Sequence, residues 1–224
     1  FSNFTAMAKN PYALRSIWNS LVIGAGAIVG VVAFGSIASY ALSRVRVPGR
    51  NALLYGMMLL SSIVTGTAAI IPTYQLIRMI GLMNTQFAVI IVTIGGSLPT
   101  AIFILKDFMD SVPKSYEESA RLYGAGPFRI LREVVVPIAR PGIAFIAVWT
   151  LVGVWGTFLT PYILLRDPKL QPAGVVMFSF YTESGLPDLP LIAAFSLIYS
   201  LPPILIYFFF SRKFGFRFHG GIKS

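Results

Sequence analysis

Five stretches of this chain, residues 17–42, 52–71, 87–105, 142–165 and 189–210, contain no charged side chain. Each is near the ~20 residues with which a helix crosses the ~30 Å hydrocarbon core of a bilayer. Lipid offers the backbone no hydrogen-bond partners, so such segments satisfy themselves as helices. The pattern predicts an all-α fold, a polytopic membrane helical bundle forming a single transmembrane domain over residues 1–224. Composition agrees, with 56% hydrophobic and 12% charged residues, far from the soluble average.

An odd number of spans puts the ends of the sequence on opposite sides. Assigning the intervening segments alternately sends thirteen Lys and Arg residues to one side: Arg44, Arg46, Arg50, six between Lys106 and Arg140, and Arg212, Lys213, Arg217 and Lys223. The other side receives five, Lys9, Arg15, Arg78, Arg166 and Lys169. Cytoplasmic loops carry the excess, so the 106–140 segment and the C-terminus are expected inside the cell and the N-terminus outside. The same topology accounts for the +10 net charge without a nucleic-acid partner. No signal peptide is visible and Phe1 is not an initiator, so a trimmed or partial start is expected.

The charged segment is the exception to the apolar pattern, with eleven ionisable residues between Lys106 and Arg140. Pro113 suits a first helical position, and Ser115 with Glu118 reads as a capping box. Glu117 and Arg121 have the i,i+4 order of a favourable pair. Tyr116, Ala120 and Tyr123 share a stripe, and Gly124 stands where a helix ends with positive φ. Pro127 fits the start of a second helix; Pro137 and Pro141 should bend its exit towards the membrane. On local physics alone, an ordinary solvated, capped helix explains these features equally well.

Other motifs divide between packing and function. Gly26 and Gly30 predict close helix approach and not a dinucleotide fingerprint, since no strand precedes them. Ser61, Ser62, Thr65, Gly66 and Thr67 read as helix packing, and Pro72 as the end of the second span. Gly95-Gly96-Ser97-Leu98-Pro99 predicts a kinked or locally unwound helix, with Gly96 and Ser97 as candidates for a substrate pathway or for a purely structural bend. Trp155, Phe158 and Tyr162 fall on one helix face. Their rings suit stacking on a sugar, with Thr157 or Thr160 donating to hydroxyls, but they equally suit packing or interfacial anchoring. Asp167, Glu183 and Asp188 are too scattered for a metal site, and His219 has nothing near it to orient it. Cysteine is absent, and neither a nucleotide-binding lysine loop nor a catalytic constellation is present. The spans also lack the carboxylates on which proton-coupled carriers rely.

The spacing Glu118-Ser119-Ala120, Gly124, Val134 and Pro137 resembles the signature loop of ABC importer permeases, Glu-Ala-Ala, three residues, Gly, nine residues, Ile-x-Leu-Pro. More widely, SYALSRVRVPGR, PTYQLIRMIGLMNT, SVPKSYEESARLYGAG and FRFHGGIKS resemble the MalG-like permease subunits of carbohydrate ABC importers. That family has six spans, which implies one more before Phe1. It usually shows Trp-Asn-Asp-Phe where this chain has Trp155-Gly156-Thr157-Phe158.

The resemblance implies a type I importer permease fold, no catalysis in this chain, and a sugar moved inward by alternating access. It implies a second permease subunit, two ATPase subunits that use ATP and Mg, and an extracytoplasmic binding protein or lipoprotein. Residues 113–126 would be the coupling helix, with Glu117, Glu118, Ser119, Ala120, Tyr123, Gly124 and Pro137 as the coupling residues. The alternatives are a permease for a phosphonate, peptide or amino acid, or a channel that works without ATP.

Overall fold

The computed structural model describes residue 7 and residues 10–45, 48–64, 69–180 and 189–214. Helices α1 (Ala13–Arg44), α2 (Arg50–Val64), α3 (Ile70–Met79) and α4 (Gln86–Asp110) come first. The charged segment forms α5 (Lys114–Leu122) and α6 (Pro127–Ile138). Then follow α7 (Arg140–Trp155), α8 (Leu159–Leu164), α9 (Ala173–Ser179) and α10 (Leu189–Phe214), with no strand among the described residues.

The centre of the bundle is α1 against α4 and α7. Gly26 and Gly30 form the α1–α4 seam: a Cβ on either would stand 2.7 Å from Ile90 Cδ1 and 2.2 Å from Ile94 Cδ1, respectively. The expected close packing is therefore real, and α4 supplies the knobs. Further along, Gly35 faces Ala101 and Leu105, and Arg44 reaches Met109, so α1 and α4 run parallel. Val31 packs with Ile146, and Tyr40 shares a cluster with Ala139, so α7 runs back the other way.

Among the described residues, three helices are long and apolar enough to cross a membrane unaided: α1, α4 and α10. The expected spans 52–71 and 142–165 are not single helices. Helix α2 has 15 residues, about 22 Å at 1.5 Å per residue; residues 65–68, with Thr65, Gly66 and Thr67, lie outside the described ones. Pro72 does not end the span but sits in the first turn of α3, where a missing N–H costs nothing. In the second case α7 stops at Trp155 and α8 starts at Leu159. Phe158 is the N-cap of α8, and Pro161 sits in the first turn of that helix, where its missing N–H costs nothing.

Proline also shapes the entry to α7. A π-helical turn, Leu131–Val135, precedes Pro137 in α6, widening the register where the proline cannot donate. Around Ala139, α6 and α7 meet at 81°, the bend that Pro137 and Pro141 predict. By contrast, α4 is helical without interruption through Gly95–Pro99. The locally unwound alternative is thus corrected: packing of Ile94, Ala101, Ile102 and Leu105 on either side holds the helix together.

Candidate functional site

Helix α5 begins on Pro113, whose φ of −60° and ψ of 130° make it the N-cap. The Ser115–Glu118 capping box is absent, because Ser115 lies inside the helix and no side chain caps the start. At the other end the expectation for Gly124 holds, with φ at +80°. Ala125 N–H donates to Ala120 O (3.1 Å) and Gly124 N–H to Arg121 O (2.9 Å), the paired bonds of a Schellman turn. A side chain at Gly124 would meet no neighbour; the demand for glycine is purely conformational.

Among the charged and polar side chains that α5 shows to solvent, large apolar and aromatic ones stand out. Tyr116 is exposed, and Leu122 and Tyr123 are 89% and 92% exposed. Glu118 and Ser119 are exposed beside them, and Ala120 is half-buried. Leu122 and Tyr123 thus stand bare at the tip of the turn.

Glu117 behaves in the opposite way. It is 2% exposed and is the buried residue of α5. The expected pair with Arg121 does not form. Arg44 Nε instead donates to Glu117 Oε1 at 2.6 Å, and Tyr40 Oη donates to Oε2 at 3.1 Å. Arg44 Nη2 also donates to the carbonyls of Met109 (2.9 Å) and Val112 (3.1 Å), where α4 ends. Ser43 donates to Asp110, which also pairs with Lys106. Losing one partner of a buried ion pair costs ~3–5 kcal/mol, although the intact pair adds little over an apolar replacement. Sequence reading missed Arg44 and Tyr40. Their i,i+4 spacing puts both on one face of α1, but nothing local identifies a carboxylate 73 residues away.

A second feature lies between α3, α4, α7 and α8: a cleft of about 990 Å³. Hydroxyl side chains of Ser97, Thr100, Thr150, Thr157 and Thr160 line it together with Gly95, Gly96, Trp149 and aliphatic side chains such as Ile77 and Ile91, and no Asp, Glu, Lys, Arg or His lines it among the described residues. Pro99 leaves the carbonyl of Gly95 without its helical donor, on a residue exposed to this cleft. Thr157 Oγ1 donates to Gly153 O at 2.7 Å. Thr150 Oγ1 is buried with no partner.

Gly96, Ser97 and Thr157, all pathway candidates, are thus brought together. Trp155, Phe158 and Tyr162 are not. They do not share a helix face, because the chain breaks after Trp155. The Trp155 indole is 6% exposed, donates to Tyr199 O at 3.0 Å and packs on the Tyr199 ring, centroids 5.6 Å apart. Phe158 stacks on Tyr162 at 5.1 Å and meets Phe178 at 4.8 Å.

The family model for the binding-protein-dependent transport system inner membrane component matches residues 23–220. The chain is 31% identical over 196 residues to the maltodextrin transport system permease protein MdxG of Bacillus subtilis, covering 88% of this chain and 70% of that protein. It is 32% identical over 215 residues to the diacetylchitobiose uptake system permease protein NgcG of Streptomyces coelicolor, covering 95% of this chain and 70% of that one. In fold, it superposes with a TM-score of 0.81 on a chain of a bacterial ABC transporter that imports the acidic polysaccharide alginate, at 22% identity, over 96% of this chain and 79% of that one. Because the match runs through the α1–α4–α7 bundle and the α5–α6 segment alike, the chain belongs to the family of inner-membrane components of binding-protein-dependent transport systems, the permeases of ABC importers.

Proposed function

We propose that this permease passes a neutral, polyhydroxylated solute, a sugar or oligosaccharide, through the cleft between α3, α4, α7 and α8. The observation that carries the reading is the lining itself: several hydroxyls and a backbone carbonyl set in an aliphatic wall, with no charged group among the described residues. A phosphonate, peptide or amino acid brings charges, and binding them away from water calls for opposite charges or aligned helix ends. Hydroxyls and carbonyls exchange hydrogen bonds with sugar hydroxyls one for one, at little net cost. The relatives' maltodextrin and diacetylchitobiose point the same way.

Energy enters through α5. We place it in the cytoplasm, following the basic-residue count, as the coupling helix. There Tyr116, Leu122 and Tyr123 would fill a cleft in an ATPase subunit, Glu118 would meet a basic group, and Ser119 and Ala120 would allow close approach. Gly124 would hold the turn, and Pro137 the bend into α7. ATP and Mg are used by two such subunits, and a second permease and an extracytoplasmic binding protein complete the importer. The chain itself performs no chemistry. Its work is to bind differently in two states, which is the only way a partner can shift the balance between them.

The test is uptake into vesicles that carry the complete transporter, using labelled maltodextrins and chitooligosaccharides against methionine and a dipeptide. Uptake of a neutral saccharide that depends on ATP and the binding protein is the expected result. Uptake of a charged solute alone would overturn the sugar assignment, and flux without ATP would indicate a channel.

A further inference from the structure

We infer that Arg44 is a positioning residue for transport: it clamps α5 to the joined ends of α1 and α4, so that a displacement of α5 is delivered to α1 instead of being absorbed by the loop. This rests on reading α5 as the helix that meets the ATPase, and adds to it the route by which the movement leaves the loop.

Three observations carry it. First, α5 has little else to hold it. It has nine residues, and Glu117 is its buried one. A helix this short is marginal in isolation, and its large apolar side chains, Tyr116 and Leu122, are exposed, leaving Ala120 as its apolar contact with the bundle. Pro113 and Gly124 at its ends interrupt the hydrogen-bonded backbone on both sides. Secondly, the single anchor is multiply bonded. The guanidinium of Arg44 serves Glu117, the carbonyls of Met109 and Val112, and Ser43 Oγ at once, a planar fork that lysine cannot reproduce. Tyr40 fills the second carboxylate oxygen. Thirdly, the anchor belongs to the helix at the centre of the bundle. Tyr40, Ser43 and Arg44 are the last turn of α1, which packs along both α4 and α7 and so meets the walls of the cleft.

The chain contains no cysteine, so thiols can be placed at will in the complete transporter. Ser115→Cys and Ala41→Cys, both exposed positions outside the coupling residues, carry spin labels that report the α5–α1 distance. Ser119→Cys alone, cross-linked to a cysteine on the ATPase, reports docking. In the native background the distance should stay narrow and unchanged between the nucleotide-free and vanadate-trapped states. Glu117→Gln or Arg44→Lys should roughly double the width of the distribution, with cross-linking and trapping retained. Tyr40→Phe, which keeps the ion pair and is the gentler variant should the others fail to assemble, should widen it to a smaller extent. A distribution as narrow in these variants as in the native chain overturns the inference. So does a parallel loss of cross-linking, trapping and distance order, which marks a merely structural pair. If the native Ser119→Cys chain does not cross-link at all, the coupling reading fails, and the distances still decide whether Arg44 is a clamp.

Discussion

Where α1, α4 and α5 meet, the chain buries charge: Arg44 and Glu117 pair with side chains 9% and 3% exposed, and Lys106 and Asp110 pair beside them. In the cleft between α3, α4, α7 and α8 no charged side chain lines the wall among the described residues, and hydroxyls do the polar work. The structural context differs as well. The charged end is fixed by many directional bonds to carbonyls and carboxylates, which define one geometry. The cleft is bounded by a helix that stops at Trp155 and another that carries Pro99, where backbone groups are left for a ligand. On the proposed reading, one end holds a position and transmits it, and the other exchanges partners. Both are needed in a protein that turns a push at one place into an opening at another.

The contrast can be broken most severely where α7 ends, behind the cleft. Trp155→Ala removes a buried ring and its bond to Tyr199, and should destabilise the chain by ~3–5 kcal/mol. Assembly and transport should fall together in membrane extracts; a selective loss of transport would return Trp155 to the pathway. Next comes the seam that joins the two regions. Gly30→Val would push a side chain into Ile94, an overpacking cost of ~1–3 kcal/mol, seen as a lower unfolding temperature of the purified transporter. Gly124→Asp forces a Cβ into φ of +80°, a strain of ~1–2 kcal/mol confined to the α5 turn. Membrane insertion should be normal, while ATP hydrolysis continues without uptake.

Two smaller changes sharpen the comparison. Thr157→Val removes a cleft hydroxyl and its bond to Gly153, worth about 1 kcal/mol, and should raise the concentration needed for half-maximal uptake with the turnover rate unchanged. Arg129→Ala breaks a pair with Glu133 in which both side chains are more than half exposed. Such surface pairs contribute ~0–1 kcal/mol, so thermal unfolding and uptake should stay as they were. A large effect at Arg129 would mean that the charged end extends further than its buried bonds.

How much of this was legible beforehand depended on distance along the chain. The Gly124 turn follows from a single residue's freedom at positive φ, and the Gly26–Gly30 seam from small residues on one helix face. The 81° bend before α7 follows from two prolines without N–H groups. The capping box failed because Pro113 made a sufficient start by itself, leaving Ser115 inside the helix. The three-ring face failed because it presumed one helix from Trp155 to Tyr162, whereas α7 stops at Trp155 and α8 starts at Leu159. Glu117 was misjudged for a different reason: its in-helix partner Arg121 was the nearest in sequence, whereas Arg44 was the nearest in space.

Apolar runs with a charged break between them settled, by themselves, that this chain is a helical membrane protein, and the gapped Glu-Ser-Ala…Gly…Pro spacing settled its family. Those signals are local or periodic, and a chain cannot hide them. Which carboxylate is buried, which hydroxyls share a cleft and which aromatic rings only pack were decided when α1, α4 and α7 came together. Each depends on contacts between residues dozens of positions apart, and the energy of such a contact exists only once the helices that carry it are in place.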